Sequence, residues 1–450
     1  MSTNAKAAAA GAGAGGRLDF VDIHRGLAVV LMIWMHSADA WLRPALKVGL
    51  RWDDPWNLVR SAGGLAAPTF LLLAGTSCGI GLWRAGAAGA AGAAAGQPGG
   101  RVAEVARDQL ARGLQLVVLG YALRLQMWLI DAGGARLGMG WLAAIALGLG
   151  YVWAYQGIDR AAAGEPFRAI ALRSAIALSA GFAIASGIAQ PPAWSLVRVD
   201  VLQAIGGSLA IIGVLHRPLL RVPWLGVALG ALVAFATHYV RAVVPGALPT
   251  ALAAYLAQWP PPPGRSYASL FPLFPWLGYA LAGVSLGMFL ADGAARGRVQ
   301  RAACLAVLAG IPLAVVACEP LPIAKAIVAA VPESLHLMRV VYRIGASLLL
   351  LGIALLFARP KMPFGASLRT LGQASLFVYW AHLQLTFGMA AKPLARSLDF
   401  PAWAFGFALL TVLMALAAGR WVVLRRRLGA RPAKLRASAS ALAQPDRAGA

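Results

Sequence analysis

The stretch RLDFVDIHRGLAVVLMIWMHSADAW, residues 17–41, combines the composition of a membrane helix with several ionisable side chains. Arg25 and His36 are separated by eleven helical steps, which amount to three turns plus about 20°, so both side chains lie on one face roughly 16 Å apart. Asp22 precedes Arg25 by three residues, and Asp39 follows His36 by three. Because hydrocarbon rarely tolerates so many ionisable groups, the stretch predicts a helix whose polar face lines a protein interior or a wet cavity.

The whole chain has the composition of a membrane protein. Of its 450 residues, 60% are hydrophobic and 12% are charged, and the mean hydropathy is +0.70. A water-soluble domain of this length hardly reaches such values. We therefore predict an all-α, polytopic membrane helical bundle with about 10–12 transmembrane helices. Apolar runs of spanning length fall at about 23–42, 62–84, 108–130, 138–158, 168–188, 196–215, 222–244, 269–291, 300–318, 337–357, 367–388 and 401–424.

The distribution of Lys and Arg supports these spans and orients them. With the N-terminus inside, the predicted inner segments hold 26 of the 40 basic residues and the outer segments hold 13. The excess of positive charge inside predicts that both termini are cytoplasmic. The net charge of +24 is dispersed over inner loops instead of being interleaved with aromatic residues on one soluble surface, which argues against nucleic acid and leaves the lipid bilayer as the partner.

Three segments outside the spans lack apolar periodicity. Residues 1–16 and the basic segment 425–450 are predicted to be disordered tails that flank a transmembrane domain at 17–424. The Ala/Gly tract 85–100 is predicted to be a flexible linker. The three cysteines form no ligand spacing, so no metal site is predicted.

His36 is the predicted catalytic residue of the first helix. It lies about thirteen residues into the helix, roughly 20 Å above the cytoplasmic boundary, where an imidazole can act as a general base near neutral pH. Asp39, one turn further on, is predicted to orient it or to stabilise its protonated form. The alternative is a buried histidine bonded to a backbone carbonyl. Arg25, at the cytoplasmic mouth, suits a ligand phosphate, and its alternative role is a positive-inside anchor.

Arg124 lies deep in the third predicted span, where a charge costs about 2.5–3.5 kcal/mol on insertion scales. It therefore needs a partner or water. Asp22, Asp39 and a ligand phosphate are the candidates, which leaves a functional site and a structural ion pair equally open.

Two later spans carry further polar residues. Asp200 and Gln203 lie one turn apart near the outer end of the sixth span, where acceptor binding competes with hydrogen bonding between helices. Tyr379 and His382 share one face of the eleventh span, SLFVYWAH, with Ser375. His382 is either a functional residue or a satisfied histidine of the bundle interior.

Four separated blocks of the sequence resemble one known family. They are RLDFVDIHRGLAVVLMIWMH with AAPTFLLLAGTS after it, VDVLQAIG, FPLFPWLGYALAGVSLG and LGQASLFVYWAH. In this order they are similar to the bacterial relatives of the heparan-α-glucosaminide N-acetyltransferase catalytic domain, within the transmembrane acyltransferase superfamily that includes the O-antigen acetylases. The resemblance covers most of the chain from Arg17 to about Met389.

This resemblance implies a helical bundle in a bacterial inner membrane. Acetyl-CoA, the acyl donor, enters the bundle from the cytoplasm, and the acyl group reaches an acceptor on the other side of the membrane. It places His36 at the R-x(10)-H histidine that is thought catalytic in the O-acetylases, and Arg25 at the arginine of that motif. The lysosomal N-acetyltransferases differ, with Asn where this chain has His36 and a catalytic histidine about three turns later, near Lys47. The choice between an amine and a hydroxyl acceptor therefore stays open, and so does the choice between direct transfer and an acyl-enzyme intermediate.

The combined hypothesis is transfer of an acetyl or short acyl group from cytoplasmic acyl-CoA to a hydroxyl or amine of an extracytoplasmic glycan or glycolipid. His36 deprotonates the acceptor with Asp39 as its orienter, and the CoA phosphates contact Arg25 and Arg124. The predicted acceptor contacts are polar residues of two later spans: Asp200, Gln203, Tyr379 and His382.

Two other classes of function compete with this hypothesis. A secondary transporter is the main alternative, because many spans and buried ionisable groups are expected there too. The sequence has no visible inverted repeat, and its polar groups concentrate on one helix, which favours the enzyme. A structural or assembly protein without chemistry leaves the polar face of the first helix unexplained.

Overall fold

A computed structural model gives the fold, and it describes residues 18–49, 54–94, 101–131, 140–188, 193–257, 269–319 and 321–442. These residues are almost entirely helical and contain no β-strand beyond one isolated bridge between Leu42 and Leu398. The all-α prediction is confirmed. In chain order the helices are α1 (Asp19–Trp41), α2 (Pro55–Gly63), α3 (Ala66–Ala94), α4 (Arg101–Asp131), α5 (Gly140–Ala163), α6 (Arg168–Ser186), α7 (Val201–Val214), α8 (His216–Arg221), α9 (Leu225–Ala247), α10 (Thr250–Leu256), α11 (Leu273–Ala295), α12 (Val299–Val316), α13 (Pro322–Ala330), α14 (Leu335–Phe357), α15 (Gly365–Gln373), α16 (Ser375–Phe387) and α17 (Phe400–Leu442).

The chain forms two compact units. The middle unit contains Ala67–Gly352, and the terminal unit combines the described parts of Leu18–Ala66 and Ile353–Ala450. The division falls at the start of α3 and near the end of α14. The terminal unit therefore joins the first two helices, α1 and α2, to the last three, α15, α16 and α17.

Nine helices, counted over the residues described, are long and apolar enough to cross a membrane, which confirms a polytopic membrane bundle. They are Pro55–Ala90, Arg101–Ile130, Gly140–Ala163, Arg168–Ser186, Leu225–Ala247, Leu273–Ala295, Val299–Val316, Pro332–Phe357 and Phe400–Arg427. The predicted runs 23–42, 196–215 and 367–388 are helical but fall outside the nine. These three carry every predicted site residue except Arg124.

Two of the three runs are shorter or more broken than the sequence predicts. The run 196–215 divides into a 3-10 turn, Ala193–Val197, and helix α7, which begins after Asp200. The run 367–388 divides into α15 and α16 at Ala374. Hydropathy counts apolar residues and does not register a helix end, so it merges such segments.

The predicted flexible segments are helical where the structure describes them. Helix α3 continues through the Ala/Gly tract to Ala94, and α17 continues beyond residue 425 to Leu442. The linker and tail predictions are corrected for these residues, because Ala is the strongest helix former and extends a helix that is already nucleated. The N-terminal tail 1–16 lies outside the described residues.

Glycines set the closest helix contacts of the middle unit. Gly75 and Gly79 of α3 lie against the backbone of α11, where a Cβ atom would overlap the carbonyl oxygens of Ala280 and Val284. The bare α-carbons allow the backbones to approach, as is common where apolar membrane helices pack by van der Waals contact. This packing holds α11 directly against α3.

Candidate active site

The two histidines predicted to be functional meet in the terminal unit. His36 of α1 and His382 of α16 lie with Nδ1 of His36 2.7 Å from Nε2 of His382. The ring planes are 1° apart and the centroids 5.0 Å apart. Since the centroids are much further apart than the nitrogens, the rings meet edge to edge in one plane, the geometry of a ring-to-ring hydrogen bond. His382 is fully buried, and His36 is partly buried.

The neighbouring carbonyl decides which nitrogens carry protons. Nδ1 of His382 lies 2.8 Å from the carbonyl oxygen of Val378, and a carbonyl only accepts, so this nitrogen donates. Nε2 of a neutral His382 then carries the lone pair and accepts from Nδ1–H of His36. The same logic places the lone pair of His36 on Nε2. This tautomer is assigned from the hydrogen-bond network, and it makes Nε2 of His36 the basic atom of the pair.

Two tryptophans hold the histidine-bearing helices in register. Trp41 Nε1 of α1 donates to the carbonyl oxygen of Thr386 in α16 at 3.1 Å, and Trp403 Nε1 of α17 donates to Ser37 Oγ at 3.1 Å. All four residues are buried. Buried hydrogen bonds between helices favour one arrangement, so these contacts fix the end of α1 beside α16 and α17.

At the other end of α1, Arg25 forms an ion pair with a buried carboxylate. Arg25 Nη1 lies 3.2 Å from Asp22 Oδ1, and Gln373 Nε2 of α15 donates to Asp22 Oδ2 at 3.3 Å. Asp22 is 3% exposed, and a carboxylate at this depth requires compensation by charge and hydrogen bonds. Arg25 therefore has a structural partner in addition to any ligand role.

Asp39 does not hold the orienting position that the sequence predicts. Its side chain is 59% exposed and lies 3.6 Å from Lys47 Nζ, which also donates to the Asp39 carbonyl oxygen. Lys47 in turn lies 5.8 Å from the centroid of the Trp56 ring. His36 instead donates its hydrogen bond to His382, because α16 brings an imidazole edge closer than the next turn of α1 brings a carboxylate.

We expect Asp39→Asn to change the rate of the acyl transfer predicted from the sequence less than about fivefold, since exposed ion pairs contribute about 0–1 kcal/mol. Steady-state rates of the variant and of Asp54→Asn, the residue that precedes α2, give the comparison. A loss of about 100-fold would return the orienting role to Asp39.

Arg124 finds its partner in the middle unit. Its Nη1 lies 3.2 Å from Asp200 Oδ2, and its Nε and Nη2 donate to the carbonyl oxygen of Ser195 at 3.3 and 3.2 Å. The partner is thus Asp200, which the sequence assigned to the acceptor, and not Asp22 or Asp39. Arg198 Nε also lies 3.7 Å from Asp200 Oδ1. Two guanidiniums share one carboxylate, which leaves the cluster with net positive charge.

Asp200 and Gln203 also form the N-terminal cap of α7. The Asp200 side chain accepts from the backbone of Gln203, and Gln203 Oε1 accepts from the Asp200 backbone N–H at 3.2 Å. Such a capping box satisfies two orphan donors of the helix end. Burial lowers the pKa of Arg198, with Asp200 opposing and Arg124 adding to this shift. Asp200 and Gln203 lie one turn apart as predicted, and both have a structural role at the start of α7.

Tyr379 lies beside the histidine pair, its ring centroid 5.9 Å from that of His382 in an edge-on arrangement. Phe387 contacts His36 in the same manner at 5.9 Å. Sequence reasoning found both histidines and Tyr379 but missed the pairing, and it missed Gln373 as a partner of Asp22. The one available signal was that Gln373 and His382 belong to the same quoted block. In the part of the chain described here, no group of three or more His, Cys, Asp or Glu residues is placed to hold a metal ion.

The apolar helices of the described residues define an integral membrane protein, and two hydrogen-bonded imidazoles lie among the helices of its terminal unit. Comparison with protein families places it more narrowly. The chain belongs to the family described as heparan-alpha-glucosaminide N-acetyltransferase, catalytic, which it matches over residues 17–148 and 137–323. It is therefore a membrane acetyltransferase, and this family offers no support for the transporter alternative.

The matched residues contain one histidine of the pair and not the other. They include α1 with His36 and the Arg124 cluster, and they end before α16 and His382. No curated protein and no solved structure matches the chain.

Proposed function

We propose that the chain transfers an acetyl or other short acyl group from cytoplasmic acyl-CoA, with acetyl-CoA as donor, to a hydroxyl or amine of an extracytoplasmic glycan or glycolipid. Family membership supports acetyl as the group transferred. The loop charges, which predict cytoplasmic termini, support a donor site toward the N-terminal end of α1 and an acceptor site toward its C-terminal end. The proposed location is a bacterial inner membrane.

The observation that carries the proposal is the 2.7 Å hydrogen bond between His36 and His382. In the proposed step, Nε2 of His36 takes the proton of the acceptor O–H or N–H while that atom attacks the thioester carbonyl carbon. The carbon–sulfur bond breaks, and the leaving CoA thiolate takes the proton back from His36. His382 stabilises the transient imidazolium by accepting from its Nδ1–H, and Tyr379 is a proposed acceptor contact.

Arg25 is the proposed phosphate contact of the donor. It lies eleven residues before His36 on the same helix, roughly 16 Å along the axis. A guanidinium has five N–H donors, so Arg25 can contact Asp22 and a phosphate together. Binding the remote phosphates there would hold the thioester beside His36 and turn an encounter into an oriented reaction.

The Arg124 cluster is proposed as one anion-binding site in the middle unit. Arg124 and Asp200 form an ion pair, so they are not expected to serve different ligands independently. The net positive charge left by Arg124 and Arg198 suits an anionic group of a ligand. Gln203 Nε2 is buried and makes no hydrogen bond within the described part of the chain, which supports a further contact to a ligand there.

The test of this function uses the full chain in nanodiscs. Acetyl-CoA binding is measured first by calorimetry, and CoA thiol release is then measured with methyl α-D-glucosaminide and methyl α-D-glucoside as amine and hydroxyl acceptors. Absence of acetyl-CoA binding up to about 1 mM, the upper end of ordinary KM values, would overturn the donor assignment. Faster thiol release with one of the two glycosides would identify the acceptor group.

Arg25→Lys is expected to raise the KM for acetyl-CoA about fivefold to tenfold with a small change in kcat, because Lys keeps the charge but loses the bidentate geometry. The same variant should leave the KM for S-acetylpantetheine, which lacks the nucleotide phosphates, unchanged. Arg359→Lys, on an exposed residue after α14, is the matched control. Equal effects of Arg25→Lys on both donors would contradict a phosphate contact.

A further inference from the structure

The middle unit contains a long apolar groove that the proposed reaction does not use. Its volume is about 820 Å³, and helices α9, α11, α12 and α14 contribute most of its walls. Along α11 the lining residues extend from Ala282 to Arg296, which is about 21 Å at 1.5 Å per residue and thus two thirds of the roughly 30 Å hydrocarbon thickness. At one end the lining includes Trp224 and the ion pair of Asp292 with Arg296, 3.0 Å apart.

A basic cluster, defined as Arg241, His336, Arg339 and Arg343, lies near the opposite end. Arg241 Nη1 lies 3.4 Å from His336 Nε2, and Arg241 Nε donates to the carbonyl oxygen of Ala257 at 3.1 Å. These contacts connect α9 with the first turn of α14.

The other two members of the basic cluster are held on neighbouring turns of α14. The Arg343 guanidinium lies 5.9 Å from the centroid of the Trp276 ring. Arg339 Nε lies 2.6 Å from Glu319 Oε1. Arg339 lies three residues after His336, the residue that Arg241 contacts, on the same helix. Packing therefore holds like charges together in this cluster.

The groove and the basic cluster share the same turns of α14. Leu337, Val340 and Ile344 line the groove, while His336, Arg339 and Arg343 follow one another at spacings of three and four on an adjacent face. The carboxylates described at this end of α14 and in the segment that leads to it are Glu319 and Glu333, against three guanidiniums of the basic cluster, so positive charge is in excess. The loop charges predict that this end is extracytoplasmic, where Arg is depleted in membrane proteins.

We propose that the groove and the basic cluster together bind one lipid that carries a phosphate headgroup. Its hydrocarbon chain lies in the groove, and its phosphate accepts charge-assisted hydrogen bonds from the guanidiniums of the basic cluster. The apolar walls exclude a soluble phosphate compound as the whole ligand, and the excess of guanidinium charge selects against a zwitterionic headgroup. This inference does not depend on acetyl transfer.

The test measures lipid binding to the full chain in detergent by native mass spectrometry. Dioleoyl phosphatidic acid and dioleoyl phosphatidylcholine have the same chains and differ in headgroup, and glycerol 3-phosphate provides a soluble phosphate without chains. We expect phosphatidic acid to bind about tenfold or more tightly than phosphatidylcholine, a difference of one decade in Kd. Equal affinities of the two lipids, or displacement of phosphatidic acid by glycerol 3-phosphate, would overturn the proposal.

Variants separate the chain site from the headgroup site. Ala309→Trp places an indole in the groove and should weaken phosphatidic acid binding about tenfold, whereas Leu308→Trp, on a residue of the same helix that is 59% exposed and does not line the groove, should not. Ala231→Trp on α9 repeats the test in the event that Ala309→Trp does not fold. Unchanged binding in a folded groove variant would contradict the proposal.

Arg339→Gln should abolish the preference for phosphatidic acid over phosphatidylcholine, and Arg301→Gln, exposed near the start of α12, should preserve it. An unchanged preference for phosphatidic acid in Arg339→Gln would show that the basic cluster does not bind the headgroup.

Discussion

Replacing His36 by Ala is expected to lower kcat for acetyl transfer by about 100-fold to 10,000-fold, the range in which a positioned general base contributes. The KM for acetyl-CoA should change little, because the proton is transferred only in the transition state. The physical basis is the tautomer that the Val378 carbonyl imposes through His382, which leaves the basic lone pair of His36 on Nε2. Steady-state thiol release by the purified variant in nanodiscs measures the effect.

His382→Ala distinguishes the two members of the pair. It removes the partner of His36 and leaves the base, so we expect a smaller loss, about tenfold to 100-fold in kcat.

Added imidazole should restore part of the activity of His36→Ala, which a merely structural role would not permit.

His216→Ala is the matched control for the histidine pair, since the His216 ring contacts only the Gly213 carbonyl oxygen among the hydrogen bonds described, at 2.7 Å. Its activity should equal that of the unmodified chain. Wild-type kcat in His36→Ala would remove this residue from the mechanism while leaving the family assignment intact.

The second large effect is expected from the glycines that bring α1 and α15 together. A Cβ at Gly26 would overlap the Leu368 carbonyl oxygen, and a Cβ at Gly372 would overlap the Asp22 carbonyl oxygen. Each obstacle is backbone, which cannot move aside without separating the helices. Gly26→Ala and Gly372→Ala should each lower the free energy of unfolding by about 1–3 kcal/mol or more, as overpacking does in a well-packed interior.

Thermal unfolding of the variants in detergent measures this loss. Gly419→Ala is the matched control in the same unit, because no atom outside its chain neighbours and its own helix backbone lies within 4 Å of the position of its Cβ. It should be neutral or stabilising by up to about 1 kcal/mol, the difference in helix propensity between Gly and Ala. Wild-type stability in Gly26→Ala would mean that α1 and α15 are further apart than the structure has them.

Much of the site was predictable residue by residue, and its pairings were not. His36 and His382 stand out because ionisable side chains in apolar runs require a partner or water, a local property that composition reveals. The sequence predicts Asp39 as the orienter because it lies one turn from His36, and helical periodicity reports only neighbours on the same helix. Helical periodicity cannot compare these neighbours with a side chain that another helix contributes.

The same reasoning explains Arg124. Its depth in a span predicted that a partner must exist, yet Asp22, Asp39 and a ligand phosphate were equally compatible with that demand. The structure selects Asp200, because helix α7 begins beside α4 and places its N-cap carboxylate against the guanidinium. The shorter α7 was also hidden from hydropathy, since apolar residues before and after a helix start look alike.

The sequence by itself determined the helical class, the membrane environment and the individual polar residues, because hydrophobic length, charge distribution and helical period are properties of short segments. Only the tertiary structure decided that His36 meets His382, which is 346 residues away. A contact between such distant residues depends on how whole helices pack, and here that packing follows from bare glycine backbones and from tryptophan hydrogen bonds. These features fix the distance between two ring nitrogens, and no local pattern in the chain records that distance.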